Sequence, residues 1–356
     1  MNILGLDIGG ANIKAAFPDS SSCSTMPFAL WKRPDALTGI LRTVIEGFPG
    51  IDAIAMTMTA ELADCFETKA EGVRFVVEAT VAAAPSCSIH IWQTGGEFVD
   101  PDVACEIPSL VAAANWHAQA TWVGRMVPGS AAVLIDVGST TTDIIPLWQG
   151  SPVPEGLTDV ERLQSRELVY SGVRRTPIYA IAQSVPRGNS WCPLAGELFA
   201  TMLDIHLIRG NIAEDSADCD TANGRPATRS QATGRLARML CCDSTELDSG
   251  DIESIALFLE DVQRQRISGA LNTVLGRITA STEKHESQDL RGSTSCDVTD
   301  VDFVTSGSGE FLAFDVARAS TAPDPAKITR LPDIIGDKGA TAACAFALAR
   351  LAEERL

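Results

Sequence analysis

Residues 3–17 read ILGLDIGGANIKAAF, and residues 133–147 read VLIDVGSTTTDIIPL. In each stretch an apolar run leads to an Asp and a glycine turn, and a second apolar run follows. Because glycine tolerates the positive φ of tight turns, each stretch predicts a β-hairpin. Asp7 aligns with Asp136 at an offset of 129 residues, so the chain looks like two copies of one supersecondary plan.

Strand and helix patterns alternate after each hairpin. Residues 51–59 predict a strand, residues 72–84 a helix and residues 89–93 another strand. Such alternation is typical of α/β layers. The longest helical pattern covers residues 252–281, where apolar residues recur every three or four positions.

The remaining patterns concern the C-terminal end and the loops. Residues 336–356 are amphipathic and predict a helix, which we expect to pack on the first half of the chain. Polar stretches without apolar periodicity predict loops at residues 19–24, 214–233 and 283–297. The last of these is the best candidate for a mobile insertion.

Composition narrows the class of protein. A length of 356 residues predicts about two domains, and 45% hydrophobic with 21% charged residues is ordinary globular usage. With 28 basic and 46 acidic residues the net charge is −18, which disfavours nucleic-acid binding. The sequence has no basic leader before an apolar run and no apolar stretch of about 18 residues, so neither secretion nor membrane spanning is expected.

The metal-binding and redox residue types are scattered. Ten cysteines occur without a CxxC pair, and four histidines occur without HxxxH or HExxH spacing. These patterns favour reduced thiols and a cytoplasmic location, and they give little support to a zinc site.

The glycine turns are the best candidates for chemistry, because backbone N–H groups can approach an anion closely there. One such turn alone is more often only a hairpin turn, but two aligned copies and a third glycine-rich turn favour phosphate binding. Lys14 adds a positive charge and is a predicted catalytic residue. The predicted phosphate-binding residues are Gly9, Gly10, Asn12, Gly138, Ser139, Thr140, Thr141, Ser306, Gly307, Ser308 and Gly309.

Acidic residues lie at the ends of the first strand of each hairpin. Asp7 and Asp136 can hold a hydrated Mg²⁺ that bridges to phosphate oxygens, and Asp143 can share that task. We therefore expect a magnesium cofactor, with Asp7 and Asp136 counted among the catalytic residues.

These motifs resemble those of the actin-like ATPase superfamily, which includes sugar kinases, heat-shock chaperones and actin. Residues 3–17 and 133–147 match its two phosphate hairpins, and residues 306–309 look like its adenosine motif. The resemblance implies an α/β, two-lobed actin-like fold with duplicated ribonuclease-H-like domains and a central cleft. It implies a first lobe of residues 1–128 joined by helix 336–356, and a second lobe of residues 129–335.

A closer resemblance is to the hydantoinase/oxoprolinase branch. It rests on TAELAD at residues 59–64, SGVRRTP at 171–177 and ELFATMLD at 197–204. Within that branch, the length and segment order resemble the short proteins linked to tetrahydromethanopterin-dependent one-carbon metabolism. Their archaeal members make methanofuran by joining a furanmethanamine diphosphate to γ-glutamyltyramine through an aryl ether, with release of diphosphate. The resemblance implies a transferase with small-molecule diphosphate and phenolic amine substrates.

Four further residues are candidates for that reaction. Glu61 follows a predicted strand and could take the phenolic proton, although a first-turn helix position explains it about equally well. Arg174 and Arg175 could hold a substrate carboxylate, or they could be an exposed pair on a loop. Asp204, in an apolar segment, could meet a substrate amine or a buried partner, or it could lie on a helix surface.

Two other functions stay open at this point. An ATP-dependent small-molecule kinase or a hydantoinase-like hydrolase of the same fold would bind ATP at residues 306–309. A non-catalytic regulator would need a DNA-binding module, and neither a helix-turn-helix before residue 2 nor the charge supports one. The sequence leaves the oligomeric state open.

Overall fold

The computed structural model describes residues 2–19, 22–129, 131–286, 301–320 and 328–356, with the backbone alone at residues 279–286. Strands and helices alternate along it. The strands are β1 Ile3–Ile8, β2 Asn12–Ala16, β3 Cys23–Pro27, β4 Ala53–Met58, β5 Ser88–Trp92, β6 Phe98–Val99, β7 Ala131–Val137, β8 Thr142–Trp148, β9 Ser151–Pro152, β10 Leu168–Val169, β11 Ser184–Arg187, β12 Ser190–Pro193, β13 Asp302–Ser306 and β14 Ile328–Arg330. The helices are α1 Leu37–Glu46, α2 Lys69–Ala83, α3 Pro101–Glu106, α4 Pro108–Val111, α5 Asn115–Val123, α6 Asp159–Ser165, α7 Ile178–Ile181, α8 Met202–Arg209, α9 Arg229–Met239, α10 Ser249–Glu286, α11 Glu310–Ser320, α12 Leu331–Thr341 and α13 Ala343–Arg355.

Two open mixed sheets share one strand order. The first runs β3-β2-β1-β4-β5-β6, and the second runs β10-β8-β7-β13-β14. In each, the hairpin strands pair antiparallel, and two further strands join the first hairpin strand's other side in parallel, β4 and β5 in the first sheet and β13 and β14 in the second. This repeated order confirms the duplicated, two-lobed α/β architecture of the actin-like class.

Helices cover both faces of the central strands, which explains their continuous apolar sequences. β1 and β4 are buried along their whole length. On one face α1 and α2 pack against the first sheet, and on the other a core containing α5 and α13 lies between the two sheets. Thr68 caps α2 by accepting a hydrogen bond from the N–H of Glu71 at 3.1 Å, which fixes where this helix begins.

The C-terminal helix contacts the first strand with almost no space between their backbones. A Cβ added to Gly5 of β1 would lie 1.8 Å from the carbonyl oxygen of Ala345 in α13. α13 also packs against β4 and α5. Glycine at residue 5 therefore permits a close approach that no other residue allows.

Three loop and helix predictions need correction. Residues 23 and 24 of the predicted polar tip belong to β3, because they pair with Ala16 and Ala15. The predicted loop 214–233 ends early, since Thr228 caps α9 by accepting from the N–H of Gln231. The predicted single helix 336–356 is two helices that meet at Ala342, and Gly336 adds a kink with φ of 72°.

The predicted mobile insertion at 283–297 lies outside the described residues from 287 onward, and residues 283–286 end α10. Across the described ranges, none of the helices is long and apolar enough to cross a membrane.

The close contact at Gly5 can be tested by urea denaturation followed by circular dichroism. Gly5→Ala should lower the free energy of unfolding by about 1–3 kcal/mol, the usual cost of a methyl group forced into a full core. Gly39→Ala in α1 is the matched control, because a Cβ there meets nothing within 4 Å. The control should be neutral or stabilising by up to about 1 kcal/mol. Equal effects of the two substitutions would contradict the backbone contact.

Candidate active site

The two glycine turns are built alike. The N–H of Gly9 donates to the carbonyl of Asn12 at 2.9 Å, and the N–H of Gly138 donates to the carbonyl of Thr141 at 2.8 Å. Across the strands Asp7 lies opposite Lys14. Asp136 likewise lies opposite Asp143. Each turn thus presents its acidic residue at the same register, as the repeated sequence predicts.

The charged residues of both hairpins act electrostatically on one buried thiol. Burial raises the pKa of Cys344, at the start of α13, well above its usual range, and the charges of Asp7, Asp136 and Asp143 raise it further while Lys14 lowers it. Lys14 of the first hairpin also lowers the pKa of Asp136 in the second. The structure therefore brings these four predicted residues to one place between the sheets.

The two strand-end carboxylates are largely removed from water. Burial raises the pKa of Asp7, which is 8% exposed, although Lys14 opposes the shift. Burial, followed by the charge of Asp143, raises the pKa of Asp136 to about 6. Within the described part of the chain, the Oδ1 atoms of Asp7 and Asp136 are buried and have no hydrogen-bond partner. Such acceptors need a donor or a cation to offset the loss of water.

These unpaired oxygens fit a magnesium ion. Mg²⁺ is commonly bound by one or two carboxylates together with water and substrate phosphate. Asp7 and Asp136 would therefore be enough protein ligands for such an ion. Among the described residues there is no ready-made group of three or more His, Cys, Asp or Glu side chains for a metal. The donor set therefore suits a metal that arrives with a phosphate ligand.

Thr57 and Gln119 adjoin these carboxylates and were not predicted. Thr57 pairs with Asp7 in register, and its buried hydroxyl finds no hydrogen-bond partner among the residues the structure describes. Gln119 donates to the hydroxyl of Ser306 at 2.9 Å, and both side chains act to lower the pKa of Asp136, against the rise that burial causes. Thr57 could have been found as the end of the strand next to β1, whereas Gln119 gives no sequence signal.

Asp143 is held by a buried arginine that sequence reasoning missed. Arg162, 1% exposed, places Nη2 2.5 Å from Oδ1 of Asp143 and Nη1 3.7 Å from Asp159. Its guanidinium also lies 4.1 Å from the ring centroid of Trp116. The arginine neutralises the carboxylate proposed as a third magnesium ligand, so Asp143 is tied into an ion pair. In the sequence Arg162 has the spacing of an ordinary surface residue on a short helix.

Backbone hydrogen bonds from the segment after residue 171 hold the second glycine turn in shape. The N–H of Val173 donates to the carbonyl of Gly138, and those of Arg174 and Arg175 donate to the carbonyl of Ser139. A Cβ on Gly172 would lie 2.5 Å from the N of Thr140, so only glycine permits this packing. The segment after residue 171 thus fixes the shape of the second turn.

The two predicted arginines have partners within the chain. Arg174 forms a 2.6 Å ion pair with Asp218. Arg175 is exposed and lies 5.1 Å from the ring centroid of Trp31, which follows β3 of the first sheet. Arg175 therefore spans the two halves of the chain at the second turn.

Glu61 is buried and interacts electrostatically with Asp159, the second carboxylate beside Arg162. It is 1% exposed, and burial is the main reason that its pKa rises to about 7; Asp159 raises it further and Lys69 opposes the rise. Its Oε2 has no hydrogen-bond partner within the described ranges. Because Asp159 is paired with Arg162, Glu61 belongs to the same network of charges as Asp143.

The third glycine turn has a packing role of its own. A Cβ on Gly307 would meet the carbonyl of Val137 at 2.2 Å and Oδ1 of Asp136 at 2.6 Å, and one on Gly309 would meet the side chains of Val137 and Val173. Ser306 pairs with Asp136 in register. The turn that carries Ser308 thus lies against the second hairpin, between β13 and α11.

Asp204 is separate from this cluster of carboxylates. It is 1% exposed, accepts the N–H of Thr201 at 2.9 Å in a capping box, and lies 2.7 Å from Arg235. Burial raises its pKa, and Arg235 opposes that rise. A buried protein partner thus replaces the helix-surface position that was one of the expectations.

Comparison with known proteins gives a full-length relationship. A family model described as hydantoinase/oxoprolinase matches residues 52–355. A protein of Methanocaldococcus jannaschii named (4-{4-[2-(gamma-L-glutamylamino)ethyl]phenoxymethyl}furan-2-yl)methanamine synthase is 31% identical over 99% of this chain and 98% of its own length. A protein of Methanococcus vannielii with the same name is 35% identical over 35% of this chain and 56% of its own length.

Among solved structures, a ROK hexokinase from Thermus thermophilus is similar, with a TM-score of 0.40 and 12% identity. The alignment covers 99% of this chain and 100% of the hexokinase. At this score the similarity adds nothing to what the strand order shows.

The buried position of Glu61 predicts a pH dependence of stability. Its carboxyl pKa rises from 4.5 to about 7 on folding, so the folded state holds the proton more tightly. Stability should therefore fall as the pH rises from about 4.5 to about 7, by up to about 3 kcal/mol. Glu61→Gln should remove that decline, as measured by urea denaturation at each pH.

The control for this measurement is Glu106→Gln, at an exposed position at the end of α3. It should keep the pH profile of the unmodified protein. Superimposable profiles for Glu61→Gln and the unmodified protein would show that Glu61 is not buried as described.

Proposed function

This chain belongs to the hydantoinase/oxoprolinase family, and from that premise we propose that it is a diphosphate-releasing synthase of methanofuran-type cofactors. It joins a furanmethanamine diphosphate to a phenolic acceptor of the γ-glutamyltyramine type through an aryl ether. The observation that carries the proposal is the 31% identity, over 99% of the chain, to a synthase whose name describes such an aryl ether.

The reaction exchanges one C–O bond for another. The bond between the furfuryl carbon and the diphosphate oxygen breaks, and its electron pair leaves with the diphosphate. The positive charge on that carbon spreads into the furan ring until the phenol oxygen attacks and forms the ether bond. Catalysis then consists of stabilising the leaving group and placing the phenol.

The hairpins supply the diphosphate site. In this proposal the backbone N–H groups of the turns, the hydroxyls of Ser139 to Thr141 and the ammonium of Lys14, which lies opposite Asp7, bind the diphosphate and stabilise its developing negative charge. Asp7 and Asp136 would hold Mg²⁺, which neutralises charge on the diphosphate oxygens when bound. Trp31 and Arg175 bridge the two halves beside the second turn.

Glu61 is the proton acceptor in this proposal. Its pKa of about 7 means that a substantial fraction is ionised at neutral pH, and its unpaired buried Oε2 is free to accept the phenolic proton. A carboxylate with little water around it is also a stronger base than an exposed one. The proton leaves the phenol oxygen as the ether bond forms and moves to this oxygen.

Ligand-induced stabilisation separates the proposed synthase from a nucleotide-dependent enzyme. Magnesium with diphosphate should raise the melting temperature, because a ligand that binds only the folded state stabilises it. Magnesium with ATP should raise it less. A larger shift with ATP would favour a small-molecule kinase or a hydantoinase-like hydrolase and overturn the synthase proposal.

The metal-bound diphosphate site can be tested by turnover. Asp7→Asn and Asp136→Asn should each reduce ether formation by at least about 10²-fold, because each removes a charge that holds the cation. Product is measured by mass spectrometry from synthetic furanmethanamine diphosphate and γ-glutamyltyramine. Asp102→Asn, at an exposed position in α3, is the matched control and should keep full activity. Full activity in both hairpin variants would remove the metal assignment.

A further inference from the structure

The two hairpins differ in charge at one position of the same register. In the first, Asp7 lies opposite Lys14, so a carboxylate faces a positive charge. In the second, Asp136 lies opposite Asp143, so two carboxylates face each other. Residues directly opposite on antiparallel strands have Cβ atoms about 4.5–5.5 Å apart on one face of the sheet, and like charges there are destabilising. The second hairpin therefore needs a positive charge, which its own two strands do not carry.

Arg162 of α6 supplies that charge to Asp143. Its side chain is 1% exposed, and its Nη2 lies 2.5 Å from Oδ1 of Asp143. The guanidinium lies 4.1 Å from the ring centroid of Trp116, and Nη2 donates to the carbonyl of Glu167 at 3.3 Å. Its contact with the second carboxylate, Asp159, is longer, at 3.7 Å. These contacts hold the positive charge on the Asp143 side of the hairpin.

Asp136 has no comparable partner for its buried oxygen. Oδ1 accepts no hydrogen bond from the residues that the structure describes. After burial, the charge of Asp143 is the largest cause that raises the pKa of Asp136, which shows that the two carboxylates act on each other. Two facing carboxylates of this kind could share one cation. The ion pair with Arg162 instead leaves one of them for a metal and occupies the other.

We propose that Arg162 is a positioning residue that withholds Asp143 from the cation of the candidate magnesium site. Asp7 and Asp136 then remain as its protein ligands, and the inference rests on the metal-bound diphosphate site of the proposed function. Mg²⁺ keeps several waters and takes one or two carboxylates with substrate phosphate, whereas Ca²⁺ takes about six to eight oxygen ligands. A third free carboxylate would therefore favour Ca²⁺ in the absence of phosphate, and its negative charge would oppose the diphosphate.

Arg162→Met tests the proposal by isothermal titration of the full chain, because it removes the charge and keeps an unbranched apolar side chain beside Trp116. Without diphosphate, the variant should bind Ca²⁺ at least about tenfold more tightly than the unmodified chain does. With Mg²⁺ present, it should bind diphosphate at least about tenfold more weakly. The opposite signs distinguish a freed carboxylate from a loosened site, which would bind both more weakly. Equal or weaker Ca²⁺ binding by the variant would overturn the assignment.

Two further variants separate the charge of Arg162 from its packing. Arg162→Lys keeps the charge and should hold both affinities within about threefold of those of the unmodified chain. The double variant Arg162→Met/Asp143→Asn leaves no unpaired charge, so its fold, checked by circular dichroism, should be kept. Because Asp143 is not a ligand in this proposal, the double variant should bind magnesium with diphosphate within about threefold of the unmodified chain. A loss of about tenfold or more would overturn the assignment, even if Arg162→Met alone does not fold.

The unmodified chain and an exposed arginine provide the controls. Arg74→Met, at an exposed position in α2, should bind Ca²⁺ and diphosphate like the unmodified chain. If the unmodified chain binds no diphosphate in the presence of Mg²⁺, both the metal-bound diphosphate site and this inference are overturned. If it binds diphosphate but Arg162→Met lacks the opposite changes in affinity, only the role of Arg162 is overturned.

Discussion

The main constraint on this structure is the need to accommodate carboxylates that are buried without hydrogen-bond donors. Asp7, Asp136 and Glu61 each carry a buried oxygen that no described group satisfies. Removing a charged group from water without compensation is costly, and the raised pKa values of all three express that cost. The packed apolar layers on both faces of β1 and β7 offset that cost.

The parts of the fold that the sequence predicts are those determined by local rules. Glycine turns between apolar runs specify both hairpins, and the alternation after them specifies parallel strands joined by helices. Boundaries that depend on distant partners were not predictable. Residues 23 and 24 look like a polar tip until pairing with β2 makes them a strand. The C-terminal helix is interrupted at Ala342, between α12 and α13.

The residues of the candidate site likewise fall into those that the sequence predicts and those that only the tertiary fold reveals. Asp7, Lys14, Asp136 and Asp143 were predicted because the two hairpins repeat, and the structure gathers them around Cys344. Arg162 could not be predicted, because only the tertiary fold brings a residue of a short surface-type helix beneath Asp143 and over Trp116. A buried partner was one of the alternatives for Asp204 in its apolar segment, but that partner, Arg235, is 31 residues away and belongs to another helix.

The contact between α13 and β1 has a consequence for how the protein is made. β1 is synthesised before the helix that covers one of its faces, since α13 follows every other described element along the chain. The first sheet must therefore wait, with an apolar face uncovered, while more than half of the chain is still being synthesised, although early domains usually fold as they emerge. Because Gly5 has no side chain, that face keeps room for the backbone of α13 to dock late against it.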